Sequence, residues 1–479
     1  MKSDIRKTKI VGTIGPASES EEVLTNLINA GLNVARINFS HGGMEENGEK
    51  VETVKKLREK LNKPVALLLD TKGPEIRTGI LETGNEPVTI EEGQEFTFVN
   101  DDIVGNNTRV SVSYKELYKE IEVGSKLLVD DGAIEFEITE IKEKNIVCKA
   151  LNTEKLGSRK TINVPGVKIN LPALTEKDIK DITEGIKKGF DYIAASFVRK
   201  ASDVIEIRNL LDKNGGEKIK IISKIENREG IDNFDEILEV SDGIMVARGD
   251  MGVEIPMEEV PIEQKIFIKK CMDAGKPVIT ATQMLESMIH NPRATRAEVS
   301  DVANAVYDMT EAVMLSGECA LGKYPVECVK VMDKISKAVE KKLLYWKRFN
   351  RRTIKPDSSD LEKSIAYTTC VTAEQMKAQA IVAYTHKGDS IRKLTGLRPG
   401  CPILAITDDK KNYYQLAASF NVYPIYVNEP TISQTISTGL EVFKNTGILE
   451  KGDVVILSGG DKVLDKVTKS KMIGAYVKI

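Results

Sequence analysis

Three polar side chains close one short apolar run: in ARINFSHG, Arg36, Asn38 and Ser40 fall at alternate positions, so on a strand they share one face. That is one cation with oxygen ligands beside it. Other apolar runs end in the same manner. LLLDTKGPEIRTG delivers Asp70 and Thr71, SKIENREG sets Lys224 and Glu226 on one face, SDGIMVARGDMGVEI runs into Arg248, Gly249 and Asp250, and TATQMLESM brings Thr282. Glycine at position 249 lets an anion approach backbone N–H groups beside a carboxylate. Taken singly, each feature has an ordinary explanation. Asp70 reads as a turn or capping residue, Lys224 with Glu226 as a cross-strand ion pair, and Gly249 with Asp250 as a turn. Thr282 and Ser316 read as strand-end hydroxyls, and Glu318 as a helix-entry acid. Together they offer two carboxylates suited to a hard divalent ion, two cations suited to a phosphate, and a hydroxyl.

Such residues need a frame that gathers strand ends, and the chain supplies one. Eight short apolar runs alternate with helical periodicity: Lys9 to Ile14, Asn33 to Phe39, Val65 to Leu69, Tyr192 to Phe197, Ile219 to Ile225, Gly243 to Ala247, Pro277 to Thr282 and Ala312 to Leu315. Eight parallel-type strands, each followed by an amphipathic helix, make a closed (β/α)8 TIM barrel, whose carboxyl end is where chemistry collects. Capping-box patterns at Ser18 with Glu21, Thr175 with Asp178 and Thr295 with Glu298 mark helix starts. One stretch, residues 73–171, breaks the alternation. Its short alternating strands (Thr89 to Ile90, Glu95 to Val99, Lys126 to Val129, Ala133 to Ile138, Ile146 to Ala150) predict a small antiparallel β-barrel inserted as a lid over the carboxyl face. A long basic helix ends near Arg352, and the polar segment Arg351 to Asp360 reads as a linker. Beyond it, Ala380 to Tyr384, Pro402 to Ile406, Val422 to Val427 and Asp453 to Leu457 alternate with helices, which predicts a doubly wound α/β sheet. The expected division is 1–72 and 172–350 for the barrel, 73–171 for the lid and 351–479 for the last domain.

Composition narrows the function classes. At 479 residues several cores are expected, and 69 Lys+Arg against 72 Asp+Glu leave a formal charge of -3, no field for nucleic acid or an anionic membrane. With no signal peptide and no run of about 20 apolar residues, a soluble, cytoplasmic protein is expected. The six cysteines form no Cys-x-x-Cys pair and the three histidines no cluster, so buried reduced thiols are expected and a transition-metal or Ser-His-Asp mechanism is not.

RKTKIVGTIGPAS, ARINFSHG, LLLDTKGPEIRTG, KIEN, SDGIMVARGDMGVEIP, ATQMLESM, RATRAEVSDVANAV and AVMLSGE together resemble the pyruvate kinase family over nearly the whole chain. The resemblance implies a barrel with an inserted β-rich lid and a carboxyl-terminal regulatory domain, assembled as a homotetramer. It implies magnesium- (or manganese-) and potassium-dependent transfer of a phosphoryl group from phosphoenolpyruvate to ADP. By resemblance Arg36 contacts that group and Lys224 stabilises its charge in transit. Glu226 and Asp250 hold magnesium, while Asn38, Ser40, Asp70 and Thr71 hold potassium. Gly249 and Asp250 N–H groups with Thr282 take the substrate carboxylate, Thr282 ends a proton relay, and Asn38, His41, Arg77 and Lys160 serve the nucleotide. Glu75 occupies the position that carries Glu in potassium-dependent members and Lys in independent ones. An acid there would add uncompensated negative charge beside the monovalent-cation site. Thr385, Lys387, Gly388 and Ser390 resemble an effector loop, which would take a sugar phosphate, a nucleotide or nothing. Departures from the family pattern are Thr161 for glycine after Lys160, Met309 and Glu311 in place of Gly and Asp, and Cys319 in place of Thr.

Two rival readings share some of these residues: a magnesium-dependent carbon–carbon lyase of the phosphoenolpyruvate/pyruvate barrel class, and a catalytically silent metabolite sensor. The lyase leaves the lid, Lys224 and the potassium set unexplained. The intact set Arg36, Asp70, Lys224, Glu226, Asp250 and Thr282 argues against silence.

Overall fold

The computed structural model describes residues 5–40, 42–352, 360–458 and 475–478. Eight strands form its centre: β1 (Lys9–Thr13), β2 (Val34–Asn38), β3 (Ala66–Asp70), β4 (Tyr192–Ala195), β5 (Lys220–Ile225), β6 (Gly243–Ala247), β7 (Val278–Ala281) and β8 (Ala312–Leu315). Each pairs in parallel with its neighbours in chain order, and β8 returns to β1, closing the barrel. Nearly every strand residue is buried, because one face fills the barrel interior and the other packs on the surrounding helices, which is why the sequence shows runs rather than alternation.

Two of the three expected capping boxes are made, at Thr175 with Asp178 and at Thr295 with Glu298. At the third the helix Glu21–Ala30 starts from Ser20, whose side chain accepts from the Val23 N–H. Ser18 is occupied in the preceding turn, where its hydroxyl accepts from Gly15 N–H at 3.1 Å.

Between β3 and β4 the chain leaves the barrel. It builds a seven-stranded sheet in the order Ile76–Arg77, Thr161–Asn163, Lys126–Val129, Ile134–Lys142, Asn145–Ala150, Glu95–Val99, Arg109–Ser111. Its two edges meet through a Thr78–Val112 bridge and a Gly79 N–H to Ser111 carbonyl bond of 2.8 Å, which curls the sheet into a small barrel. All pairs in it are antiparallel but one, Glu95–Val99 with Arg109–Ser111. Three phenylalanines, Phe96, Phe98 and Phe136, with ring centroids 5.3 Å apart, fill its separate core.

The basic helix before the last domain is two helices, Pro325–Glu340 and Tyr345–Arg351. The break lets Tyr345 approach Phe420 (6.0 Å between centroids) and Phe349 approach Tyr367, so the second helix docks on the last domain. That domain is a five-stranded sheet of β9 (Ala380–Tyr384), β10 (Ile403–Thr407), β11 (Val422–Tyr426), β12 (Val454–Ser458) and β13 (Ala475–Lys478), in the order β11-β10-β9-β12-β13. Four are parallel and β13 is an antiparallel edge that the apolar pattern had not suggested. Most of the expected linker, residues 353–359, lies outside the described residues.

Candidate active site

The strand ends converge as the barrel requires. Arg36, Asn38, Ser40, Lys224, Glu226 and Asp250 line one cleft of about 440 Å³ between the barrel mouth and the lid, together with Glu75, Arg77 and Lys160 from the lid side. Behind this wall Asp70 and Thr71 are buried.

Asp70 ends β3 and is the hub of the charge network. Its Oδ2 accepts from Arg36 Nε at 2.5 Å, and its Oδ1 lies 3.2 Å from Lys224 Nζ. Burial works against the charged carboxylate, but the two cations outweigh it and hold Asp70 below the usual carboxylate range. Arg36 is held from the other side by the Thr13 hydroxyl of β1, 2.7 Å from Nη1. Lys224, on β5, also reaches Glu226 Oε1 at 2.9 Å. For this lysine burial opposes the charge, and Asp70, Glu226 and Asp250 together push its pKa above the ordinary value. Glu226 goes up as well, first through burial and then through repulsion by Asp250, despite Lys224. Asp250 itself takes no hydrogen bond or ion pair among the described residues. The mouth therefore sets three carboxylates against two cations and leaves one acid unmatched.

Gly249 and Asp250 open the helix Arg248–Glu254 directly after β6. The Gly249 N–H donates to Thr282 Oγ1 at 2.8 Å, and the Thr282 hydroxyl donates to Ala281 carbonyl at 2.7 Å. Thr282 and Gln283 both sit in the left-handed region, at φ of 68° and 54°. That conformation is uncommon for a β-branched residue and is held here by Arg248, whose Nη2 donates to the Thr282 carbonyl at 2.6 Å. Ser316 and Glu318, after β8, serve the walls: Glu318 is fully buried and accepts from Ser316 N–H at 2.7 Å and Leu285 N–H at 3.0 Å.

The fourth strand contributes what the sequence reading passed over. Ser196, just after β4, accepts from Lys224 Nζ at 2.8 Å and donates to the Thr71 carbonyl at 2.7 Å. The next N–H, of Phe197, donates to Glu226 Oε2 at 2.5 Å. A serine immediately beyond a buried run, at a strand end with no assigned group, was the available signal.

Several expected residues are engaged otherwise than their roles imply. Glu75 is paired: Arg77 Nε and Nη2 reach its Oε2 at 2.9 and 2.8 Å, with Lys72 at 4.0 Å. The uncompensated charge expected there is absent, because the loop brings two cations back onto it. Lys160 is tied to Asp130 at 2.8 Å within the lid. Asn38 Oδ1 accepts from Ser40 N–H at 3.0 Å. His41 lies outside the described residues. Thr385, Lys387, Gly388 and Ser390 lie in the last domain and do not line the cleft. There Gly388 (φ 86°) donates its N–H to Thr385 Oγ1 at 2.9 Å, and the buried Ser390 hydroxyl has no partner among the described residues. The six cysteines are free and buried. Among the described residues no three His, Cys, Asp or Glu side chains group as a metal cage, and no helix is long and apolar enough to cross a membrane.

The sequence and the fold match those of known proteins. The family described as pyruvate kinase, barrel domain, matches residues 5–329, and pyruvate kinase, alpha/beta domain, matches 363–471. A pyruvate kinase of Clostridium acetobutylicum is 48% identical over 460 residues, covering 95% of this chain and 96% of the relative. One of Staphylococcus epidermidis is 48% identical over 475 residues, covering 98% and 80%. A crystal structure of a pyruvate kinase from Cryptosporidium parvum superposes with a TM-score of 0.93 at 39% identity, covering 100% of this chain and 97% of that one.

Proposed function

The chain belongs to the pyruvate kinase family, and from that premise we propose that the cleft beneath the lid binds phosphoenolpyruvate and ADP and passes the phosphoryl group between them, giving pyruvate and ATP. One observation supports this reading above the others. Lys224 is a buried ammonium kept charged by carboxylates, facing the same cleft as Arg36 and an unmatched Asp250. Loose phosphoryl transfer spreads negative charge over peripheral oxygens, so fixed cations at that place lower the barrier.

A magnesium or manganese ion fits Glu226 and Asp250. Both are hard oxygen donors on one cleft, and Asp250 has no other partner among the described residues. When bound, the ion neutralises phosphate oxygens and lowers the mutual repulsion of the two acids. Potassium fits Asn38, Ser40, Asp70 and Thr71, an all-oxygen set in which the Ser40 hydroxyl has no protein partner among the described residues. Because Glu75 is already paired with Arg77, the potassium reading rests on that oxygen set.

The remaining work falls to the chain. Arg36 holds the phosphoryl group from the β2 side, and Lys224 follows its charge as the bond to the enol oxygen breaks and the bond to the terminal ADP oxygen forms. The N–H groups of Gly249 and Asp250, with Thr282, grip the substrate carboxylate, so the Gly249–Thr282 bond must open on binding. Thr282 ends a water relay that delivers a proton to the enolate carbon. Asn38, His41, Arg77 and Lys160 face the nucleotide, and Lys160 turns from Asp130 to a phosphate. We further propose a cytoplasmic homotetramer divided at 1–72, 73–171, 172–350 and 351–479, with any effector held by Thr385, Lys387, Gly388 and Ser390.

The test is pyruvate formation coupled to lactate dehydrogenase, with ADP, the divalent ion and potassium each omitted in turn. The reading expects turnover only with all present. Pyruvate released without ADP would overturn it.

A further inference from the structure

Lys224 is ringed by acceptors before any substrate arrives. An ammonium has three N–H groups, and three acceptors surround this one: Ser196 Oγ at 2.8 Å, Glu226 Oε1 at 2.9 Å and Asp70 Oδ1 at 3.2 Å. Two of the three are carboxylates and one is neutral. A transferring phosphoryl oxygen needs one of these N–H groups, so one acceptor must be given up.

We propose that Ser196 is a positioning residue for the transfer step, its hydroxyl parking the Lys224 ammonium in the cleft and surrendering it to the phosphoryl group. The inference rests on the reading of the site given above. The two carboxylates hold the ammonium by charge–charge attraction as well, which the neutral hydroxyl lacks, so the serine is the acceptor released at least cost. Its single proton is committed to the Thr71 carbonyl at 2.7 Å, with Asp70 Oδ1 farther off at 3.2 Å, so it presents a lone pair to Lys224.

The serine is itself fixed. Its N–H donates to Thr71 Oγ1 at 3.1 Å, and the chain leaving β3 presses on it at Gly73 (φ 69°), where an added Cβ would lie 2.8 Å from Ser196 Cβ. The hydroxyl therefore holds one place while the lysine moves. Without it the third N–H leans on a carboxylate, and reaching the phosphoryl group means breaking a stronger bond. Arg36 still binds the ground state, so the loss falls on turnover rather than on substrate affinity.

Ser196→Ala tests this in the coupled assay. The expected result is a kcat lower by about ten- to hundredfold, the cost of a misplaced catalytic group, with the KM for phosphoenolpyruvate nearly unchanged. A merely structural role would instead slow every background equally, so the double variant decides. Added to Lys224→Met, Ser196→Ala should cost nothing more, because the group it positions is gone. A Ser196→Ala enzyme as fast as wild type would overturn the proposal. So would a further loss in the Lys224→Met background equal to that in wild type. Wild-type turnover in the same assay carries the site reading by itself, so either result would leave that reading standing.

Discussion

The two ends of the barrel both bury charge, and they use it differently. At the amino-terminal end, where the last domain docks, Arg398 and Glu311 are each about 3% exposed and meet at 2.8 Å. Glu311 also accepts from Phe420 N–H at 2.7 Å, while Arg398 donates to the Met309 carbonyl and lies 4.4 Å from the Phe420 ring. One acid faces one base, and both carboxylate oxygens are engaged. At the mouth, Asp70, Glu226 and Asp250 face Arg36 and Lys224, Asp250 has no partner among the described residues, and Glu226 is pushed up by burial and by Asp250. A buried ion pair alone thus does not mark an active site. Acids left without a counter-ion on the wall of a cleft that a ligand can enter do.

The strongest way to break this contrast is to remove a mouth cation. Lys224→Met should lower kcat by roughly two to four orders of magnitude, since the charge is needed mainly in the transition state. A loss under tenfold, measured by steady-state kinetics, would end its assigned role. Next comes the borrowed charge. Replacing potassium by a bulky tetraalkylammonium ion, with sodium absent, should cost at least about tenfold, against the roughly 4 kcal/mol that a unit charge 4 Å away supplies at an effective dielectric of 20. Glu75→Lys should recover much of that activity by tethering an ammonium beside the site. Full wild-type activity without potassium would refute the requirement.

The base should respond in the opposite manner. Glu311→Gln leaves Arg398 buried without its counter-charge, so unfolding free energy should fall by about 3 kcal/mol while kcat well below the melting temperature stays nearly constant. Denaturant titration and kinetics on one preparation check both halves. The smallest effect is a pH slope. Lys9 is fully buried at the same interface, bonded to the Val422 carbonyl at 2.7 Å over the Tyr423 ring. Burial, aided by Arg6 and Lys7 against Glu340 and Glu311, lowers its pKa to about 7 from the ordinary 10.5. Between those values the unfolded chain binds the extra proton, so this residue's contribution to stability rises with pH there, by at most about 1.4 kcal/mol per unit. Lys9→Met should flatten the rise. Identical slopes in the two proteins would contradict it.

These two regions also divide what could be read from residues alone. All eight barrel strands were legible because each is buried on both faces and reads as an uninterrupted apolar run, and the polar residues that end five of them were conspicuous for that reason. Ser196 was not conspicuous. Its partners stand 28, 125 and 126 positions away, and no local pattern reports a contact made only when the barrel closes. Ser18 was misread because its acid three residues on fits a cap, while Ser20, without one, makes it; the Gly15–Ser18 turn decides between them. At the base, Met309 and Glu311 stood out only as departures from a family pattern. The structure explains their cost and use: Met309 holds φ at 73°, a conformation that favours glycine, and its side chain is buried near Phe420 and Tyr345. The pairing of Glu75 with Arg77 was hidden for a simpler reason. Residues two apart share a face only if the segment is extended, and the local sequence, PEIR, fixes no conformation.

The charge at the mouth serves transfer between two phosphate carriers rather than hydrolysis. Phosphorus-31 NMR of the wild-type protein with phosphoenolpyruvate, ADP, magnesium and potassium tests it most directly. The account predicts that the phosphoenolpyruvate resonance falls as the γ-phosphoryl resonance of ATP grows in equal amount. Inorganic phosphate as the main product, or an undiminished phosphoenolpyruvate signal, would contradict it.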